Sequence, residues 1–147
     1  MKYSRILVLC ALVALAGCKQ KPAYHDAFND PLLFSKTVKQ LNNVVMQNNF
    51  PPIIASRNYT YACIAAYEVM AQGDARFQSL GGQLNQLAAV PKQDTAHVNF
   101  GYASMLAFCK VGEAVTFPEG SMRDYVNELD SIAEANGMPD EMKKASK

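Results

Sequence analysis

Apolar residues recur at steps of three and four along most of this chain, and this spacing is typical of amphipathic helices. Phe34, Val38, Leu41 and Val45 form one such series, with polar residues between them. No segment shows the convincing alternation of apolar and polar residues that a half-buried strand requires. The spacing therefore predicts an all-α fold, a helical bundle.

Prolines, glycines and capping residues set the expected helix ends. Asp30 and Pro31 predict the cap and the first turn of one helix, and Pro51-Pro52 ends it. Ser121 and Asp124 predict a capping box at the start of the last long helix. The expected elements are a helix from 31 to before 50, a second over 54–72, a brief helical piece over 83–89, a long helix from 95 or 96 to about 116, and another over 122–135.

The same spacing predicts which side chains face the core. On the second helix they are Ala55, Tyr59, Ala62, Ala66 and Val69, with Cys63 and Met70 on the flank. On the last long helix they are Met122, Tyr125, Val126, Leu129, Ile132 and Ala133. The alanines of the second helix predict close helix–helix approach.

Charge and histidine content exclude two classes of function. The 147 residues carry a formal net charge of +1 and no basic run, so the chain has no field that would hold a nucleic acid. His25 and His97 are the only histidines, and neither lies in a cluster of metal-ligating residues. We therefore expect one compact domain with no metal site and no nucleic-acid partner.

The N-terminus has the features of an export signal. Lys2 and Arg5 precede an uninterrupted apolar or small run from Ile6 to Ala16. A helix that spans a bilayer needs about 20 residues, so this run fits the shorter apolar region of a secretory signal.

The run ends in Leu15-Ala16-Gly17-Cys18, which resembles the lipobox of bacterial lipoproteins. The resemblance implies cleavage before Cys18 and lipidation of its thiol, which would anchor the protein to a membrane. We expect a signal peptide over 1–17, a tether over 18–29 and a helical domain over 30–147. The expected location is the bacterial cell envelope, on the periplasmic or outer-membrane side.

Two thiols remain after this processing, Cys63 and Cys109. Both fall on apolar faces of expected helices. In an exported protein they form either a disulfide or two unpaired thiols that pack in the core.

The end of the chain offers two interpretations. Pro139, Asp140 and Glu141 are typical of a helix first turn, yet only six residues follow Glu141. The segment is either a frayed tail or the start of a helix that belongs to a longer protein.

Residues 50–70 and 74–87 resemble the N-terminal helical region of exported bacterial proteins in the vanadium-dependent haloperoxidase and phosphatidic acid phosphatase type 2 superfamily. The features that carry the resemblance are the Pro51-Pro52 break, Ala55-Ser56-Arg57, Ala65-Ala66-Tyr67-Glu68, and Ser79-Leu80 followed by Gln83-Leu84. The resemblance implies an all-α bundle whose later helices hold phosphate or vanadate with lysine, arginine and histidine side chains.

The catalytic motifs of that superfamily are missing from this sequence. The arginines downstream of Cys18 precede Asn58, Phe77 and Asp124 instead of proline, and no Pro-Ser-Gly-His string occurs. Ser56-Arg57 has Cys63 at the position where the family has histidine. No catalytic, cofactor-binding or metal-ligating residue is therefore assigned in this chain, and vanadate is expected only in a full-length member.

These observations lead to one hypothesis and one alternative. The hypothesis is the N-terminal part of a membrane-anchored phosphatase- or haloperoxidase-like protein, inactive without its C-terminal catalytic helices. The alternative is a complete small envelope lipoprotein that acts as an interaction or scaffolding module. In either case we expect Glu68 to be a surface acid or a partner of Arg57, and Lys143, Lys144 and Lys147 to be solvated.

Overall fold

The computed structural model describes residues 23–92 and 95–147, and all regular elements within these ranges are helical. The prediction of an all-α bundle is confirmed. The expected signal peptide and the lipidation site Cys18 lie outside the described residues. No helix of the described ranges has the length and apolar character needed to cross a membrane. The elements are a 3-10 turn (Ala27–Asn29), α1 (Pro31–Gln47), α2 (Pro52–Gly73), α3 (Phe100–Ala114), α4 (Arg123–Ala135) and α5 (Asp140–Ala145).

The predicted start of α1 is confirmed. The Asp30 carboxylate accepts a hydrogen bond of 2.9 Å from the backbone N–H of Leu32, and Pro31 is the first helical residue. Asp30 thereby satisfies an N–H that has no partner within the helix, while Pro31 lacks such a group. After α1, Pro51 and Pro52 begin α2, which runs to Gly73.

Helix α3 is the centre of the bundle. It packs against α1, α2, α4 and the 3-10 turn. Its Tyr102 and Phe108 side chains are fully buried, and Phe108 meets the ring of Phe34 edge to face. The core of the described residues consists of Phe28, Leu33, Leu41, Val44, Val45, Ala62, Ala66, Tyr102, Met105, Phe108, Cys109, Met122, Tyr125, Leu129, Ala133 and Met138.

The C-terminal segment folds back onto α4. Lys143 forms an ion pair with Glu134 at 2.6 Å, and Lys147 forms one with Asp130 at 2.5 Å. The hydroxyl of Ser146 accepts a hydrogen bond from the backbone N–H of Asn99. The prediction that Lys143 and Lys147 are merely solvated is therefore wrong, because α5 places them beside the acids of α4.

Two predicted helical segments are wrong. Residues 83–89 form turns and no helix, and α3 begins at Phe100 instead of 95 or 96. Gly82, Gln86 and His97 have φ values of 76°, 65° and 62°, which a right-handed helix does not accommodate. Asn99 caps α3 instead, because its side chain accepts a hydrogen bond from the backbone N–H of Tyr102.

The predicted capping box is also wrong. The N-cap of α4 is Met122, with no side-chain hydrogen bond, and the helix begins at Arg123. The Ser121 hydroxyl lies 3.2 Å from that of Thr116 and bonds to it instead of capping the helix. The inward residues of α4 match the prediction, since Tyr125, Leu129 and Ala133 are buried.

Part of the segment predicted as a tether packs on the helices. Phe28 is buried with its ring centroid 4.8 Å from that of Tyr102. The backbone N–H of His25 donates to the carbonyl of Asn136 at 2.9 Å. The folded unit therefore begins several residues before the boundary predicted at residue 30.

Candidate functional site

A groove of about 520 Å³ lies between the start of α1 and the outer half of α2. We call it the apolar groove. The 3-10 turn and α1 form one wall, α2 forms the other, and α3 forms the floor. Its lining residues are Phe28, Asn29, Asp30, Pro31, Phe34, Cys63, Ala66, Tyr67, Met70, Phe77, Gly101, Ser104 and Met105.

The groove exists because α2 packs chiefly on one helix, α3, and leaves its other sides uncovered. α2 packs chiefly on α3, and its buried alanines Ala62 and Ala66 allow a close approach to that helix. Near the turn between α1 and α2, the Tyr59 hydroxyl donates to the Asn42 side chain at 2.8 Å. Beyond this contact the two helices leave space between them, and the groove occupies that space.

The polar groups of the groove already have partners. The Ser104 hydroxyl donates to the carbonyl of Gly101, and the Tyr67 hydroxyl donates to the carbonyl of Gln78. Asn29 donates to Asp26, and Asp30 caps α1. Because a binding site for a reacting substrate needs polar groups that converge on the substrate, this groove is suited to an apolar body instead.

A loop over residues 74–82 borders the groove, and Glu68 holds the loop in place. The Glu68 carboxylate is buried and accepts hydrogen bonds from the Ser79 hydroxyl at 2.7 Å and from the Leu80 N–H at 2.6 Å. Phe77 of this loop packs edge to face on Tyr67. The prediction of a surface acid or a partner of Arg57 is wrong, since Glu68 anchors a loop eleven residues away.

The two cysteines differ sharply. Both thiols are free, so the structure holds no disulfide between Cys63 and Cys109. Cys109 is fully buried on α3, and burial raises its pKa to about 12, with a further contribution from Glu113. Cys63 is exposed on α2, on the wall of the apolar groove. The interpretation of two core thiols is therefore right for Cys109 and wrong for Cys63.

Helix α2 leaves much of its apolar surface open. Arg57 and Glu68 are its only charged residues, yet Ile53 is 77% exposed and Ile54 and Tyr61 are 41% and 44% exposed. A helix that is apolar on all sides is normally buried on all sides. α2 thus has the composition of an interior helix and the position of a surface helix.

A second groove runs between α2 and α4 along α3 and has a charged rim. Lys110, Arg123 and Lys147 line it together with Glu113 and Glu119. Lys147 is paired with Asp130, and Glu113 accepts a hydrogen bond from the Gly120 N–H. The two acids thus partly offset the three cations of this rim.

The described residues do not fit vanadate. No histidine lines the second groove, and His25 and His97 are both exposed elsewhere. Nor do the described ranges contain a group of three or more histidine, cysteine, aspartate or glutamate side chains that could hold a metal ion. Within residues 23–92 and 95–147, the cations of the second groove therefore have no histidine beside them.

The hydroxyl groups of two core tyrosines have side-chain partners. The Tyr102 hydroxyl donates to Asp130, and the Tyr125 hydroxyl lies 3.0 Å from that of Thr37. Burial is the main cause that raises the pKa of both tyrosines. Neither tyrosine lines the apolar groove.

Comparison with known proteins gives one informative match. No protein-family model matches the chain, and no curated protein does. A solved structure described as the first bacterial vanadium-dependent iodoperoxidase matches it with a TM-score of 0.71 and 27% sequence identity. The match covers 79% of this chain and 28% of that protein, so this chain spans little more than a quarter of its length. The fold is haloperoxidase-like.

Proposed function

We propose that this chain is the N-terminal helical portion of a membrane-anchored haloperoxidase- or phosphatase-like protein and that it is inactive alone. The observation that carries the proposal is the structural match, which extends over most of this chain but only 28% of the iodoperoxidase. In this proposal the chain supplies a packing surface, and a further polypeptide supplies the catalytic helices and any vanadate.

The chemistry of the chain supports inactivity. The thiol of Cys63 lies on the wall of the apolar groove, and the one carboxylate in the groove lining, Asp30, accepts a hydrogen bond from the Leu32 N–H as the cap of α1. Burial raises the pKa of Cys63, which disfavours the reactive thiolate. In the apolar groove the thiol and the carboxylate therefore do not form a nucleophile–base pair.

The open face of α2 supports a packing role. Apolar surface that is exposed in one polypeptide commonly marks an interaction site. Ile53, Met70 and Phe77 are exposed along α2 and the loop that follows it. We assign the apolar groove and this face as the surface against which the catalytic helices pack.

Activity assays test the proposal directly. The chain purified from residue 19 onwards is expected to show no halide oxidation with vanadate and peroxide and no phosphomonoester hydrolysis. Turnover that persists in a preparation free of contaminating enzymes would contradict inactivity. A matched preparation of Phe108→Ala, which disrupts the core, serves as the control for copurified activity, because such activity does not depend on this fold.

The DNA beyond the codon for Lys147 tests the proposed relation to a longer protein. We expect the same or a neighbouring frame to encode Arg-Pro and Pro-Ser-Gly-His motifs on further helices. If the region encodes neither motif, the alternative of a small envelope lipoprotein that acts as an interaction module gains the support that this proposal loses.

Anchoring is proposed at Cys18, on the strength of Leu15-Ala16-Gly17-Cys18 after a short apolar run. Cells that express the full chain with a fatty-acid label are expected to incorporate the label into the wild type and not into Cys18→Ala. Cys63→Ala is the matched control and should retain the label. An unlabelled wild type whose mature N-terminus is unmodified would overturn the anchor.

A further inference from the structure

The first described residues and the C-terminal helix meet at the start of α3. We call residues 24–29 the strap, and we call α5 together with Ser146 and Lys147 the latch. Both segments contact Asn99, the buried N-cap residue of α3. The start of α3 is therefore a junction between two segments that are far apart in the sequence.

The side chain and the backbone of Asn99 hold different segments. Its side-chain nitrogen donates to the Tyr24 hydroxyl at 2.7 Å and to the Asp26 carboxylate at 3.0 Å, both in the strap. Its backbone N–H donates to the Ser146 hydroxyl of the latch at 2.9 Å. The Ser146 hydroxyl in turn donates to the carbonyl of Met142 at 2.7 Å. One residue thus bonds to both the strap and the latch.

A second contact joins the strap to the connection that leads into the latch. The backbone N–H of His25 donates to the carbonyl of Asn136, the C-cap of α4, at 2.9 Å. Residues 137–139 alone separate Asn136 from α5. Release of the strap therefore removes support from this connection as well as from Asn99.

The latch is held by polar contacts more than by burial. No residue of α5 is buried, and its Met142 packs only partly against the core. Lys143 forms an ion pair with Glu134, and Lys147 forms one with Asp130. A helix of six residues is not stable by itself, and an element with few buried apolar contacts opens locally. The latch is thus an element with two states, docked and released.

The docked latch closes one end of the second groove. Ser146 and Lys147 line that groove together with Ala103. Ser146 is bonded to Asn99, which precedes Ala103 by one helical turn, so the latch lies at the Ala103 end. Release of the latch withdraws Ser146 and Lys147 from the groove lining and opens this end.

We propose that the strap controls docking of the latch through Asn99, and that release of the latch opens one end of the second groove. Because the two segments share Asn99, loss of one contact weakens the other. The coupling does not depend on the proposed function. One consequence does rest on the proposed anchoring at Cys18: the strap is then the part of the fold nearest the anchor in sequence, so the anchored end is linked to the second groove.

Hydrogen exchange of the latch tests the coupling from the strap side. Tyr24→Phe, made in the chain from residue 19 onwards, removes one acceptor of the Asn99 side chain and alters no latch residue. We expect the latch amides of Lys143 and Ser146 to exchange about two- to tenfold faster, the range expected for one hydrogen bond. Tyr61→Phe is the matched control and should leave these rates unchanged.

Latch amides that exchange equally in Tyr24→Phe and in the wild type would overturn the proposal. Equal acceleration of the Phe108 amide in the buried part of α3 would overturn it too, because that result describes unfolding of the whole bundle and not release of the latch.

Exchange of the strap tests the coupling in the opposite direction, since a coupling between two equilibria is reciprocal. Ser146→Ala removes the acceptor of the Asn99 backbone N–H. The amide of His25 in the strap should then exchange about two- to tenfold faster. Ser131→Ala is the matched control, because the Ser131 hydroxyl donates to a carbonyl four residues earlier, as that of Ser146 does, with no contact to Asn99. Equal strap exchange in the two variants would contradict the coupling.

The two substitutions together test whether Asn99 transmits the effect. In a Ser146→Ala background the latch no longer bonds to Asn99, so Tyr24→Phe should accelerate latch exchange much less than it does alone. Effects that simply multiply in the double variant would show independent contacts and would overturn control through Asn99.

Alkylation inside the second groove tests what the latch closes. Ala103→Cys in a Cys63→Ser background places a thiol in the groove lining, while Cys109 stays buried. Adding Tyr24→Phe should speed its reaction with a maleimide about twofold or more, although Tyr24 does not line the groove. Adding Tyr61→Phe instead should not change the rate. Equal rates with the two tyrosine substitutions would show that the strap does not control access to the groove.

Discussion

Helices α2 and α3 have similar compositions and opposite surroundings. Each carries two charged residues, Arg57 and Glu68 on α2 and Lys110 and Glu113 on α3. Six of the 15 residues of α3 are buried, against four of the 22 residues of α2. α3 has neighbours on several sides, whereas α2 packs chiefly on α3. The number of covering elements, and not the composition of the helix, decides the difference in burial.

This difference explains where the apolar surface of the molecule lies. Burial of the apolar side chains of α3 away from water stabilises the fold of this chain. The outer residues of α2 contribute little to that stability, so their apolar character calls for another reason, and packing against a further polypeptide supplies one.

Truncation of one large side chain on each helix should give the largest contrast. Phe108→Ala on α3 is expected to lower the free energy of unfolding by about 3–5 kcal/mol, because it leaves a cavity at a fully buried site. Ile53→Ala on α2 is expected to change it by less than about 0.5 kcal/mol. Chemical denaturation of both variants measures the difference, and equal losses would remove the contrast between the helices.

Glu68 holds the loop over 74–82 against α2, so removal of its carboxylate should loosen that loop. Glu68→Ala leaves the Ser79 hydroxyl and the Leu80 N–H without their acceptor, at an expected cost of about 1.5–3 kcal/mol. Proteolysis within 74–82 should become faster than in the wild type. The control Glu134→Ala breaks only an exposed ion pair and should leave the cleavage rate unchanged. An unchanged cleavage rate in Glu68→Ala would show that the Glu68 carboxylate does not anchor the loop.

Two glycines at adjoining helix ends offer a finer comparison. A Cβ at Gly101 would lie 2.6 Å from the backbone oxygen of Phe28, so Gly101→Ala should destabilise the fold by about 1–3 kcal/mol. A Cβ at Gly73 would lie 2.4 Å from Cγ and Cδ2 of Phe100, so the whole ring must move, but Phe100 is a half-buried side chain and not backbone. Thermal unfolding should therefore place Gly73→Ala closer to the wild type, and the reverse order would contradict the close packing of α3 on the 3-10 turn.

The smallest expected effect is the contribution of Asp130, on α4, to the pH dependence of stability. Burial alone would raise the pKa of Asp130, but hydrogen bonds from Lys147 and Tyr102 outweigh burial and lower it. A lowered carboxyl pKa contributes stability above the unfolded value of about 3.9, and that stability is lost as pH falls through the folded value.

Asp130→Asn should therefore reduce the acid-induced loss of unfolding free energy below about pH 4, by less than about 1 kcal/mol because the pair lies near solvent. Denaturation curves at a series of pH values measure this change. Parallel pH profiles for the variant and the wild type would show that the Asp130 contacts do not stabilise the fold.

The sequence predicts the bundle well where a helix has two distinct faces. α4 alternates polar and apolar sides clearly, and its buried residues Tyr125, Leu129 and Ala133 follow from spacing alone. α2 is apolar on nearly every side, so its spacing does not define which face is buried. For this reason the spacing predicts Ala62 and Ala66 correctly, whereas Cys63, expected on the flank and as either a disulfide partner or a core thiol, is an exposed free thiol.

Contacts between distant segments account for the other differences. The burial of Glu68 depends on hydrogen bonds to Ser79 and Leu80 of a loop eleven and twelve residues further along the chain, which helix spacing does not specify. The Ser121 hydroxyl pairs with Thr116, five residues earlier, and this local contact replaces the capping of α4. The apolar groove follows from the divergence of α1 and α2, which the helix spacing does not specify.

Alkylation of the two native thiols tests most directly the claim that α2 is uncovered in this chain while α3 is sealed. Cys63 should react with a maleimide in the folded protein, only moderately slower than in denaturant, because it is exposed while partial burial raises its pKa. Cys109 should react slower by orders of magnitude until the chain unfolds, because it is buried and its pKa is raised to about 12. Equal protection of both thiols in the folded protein would contradict the account.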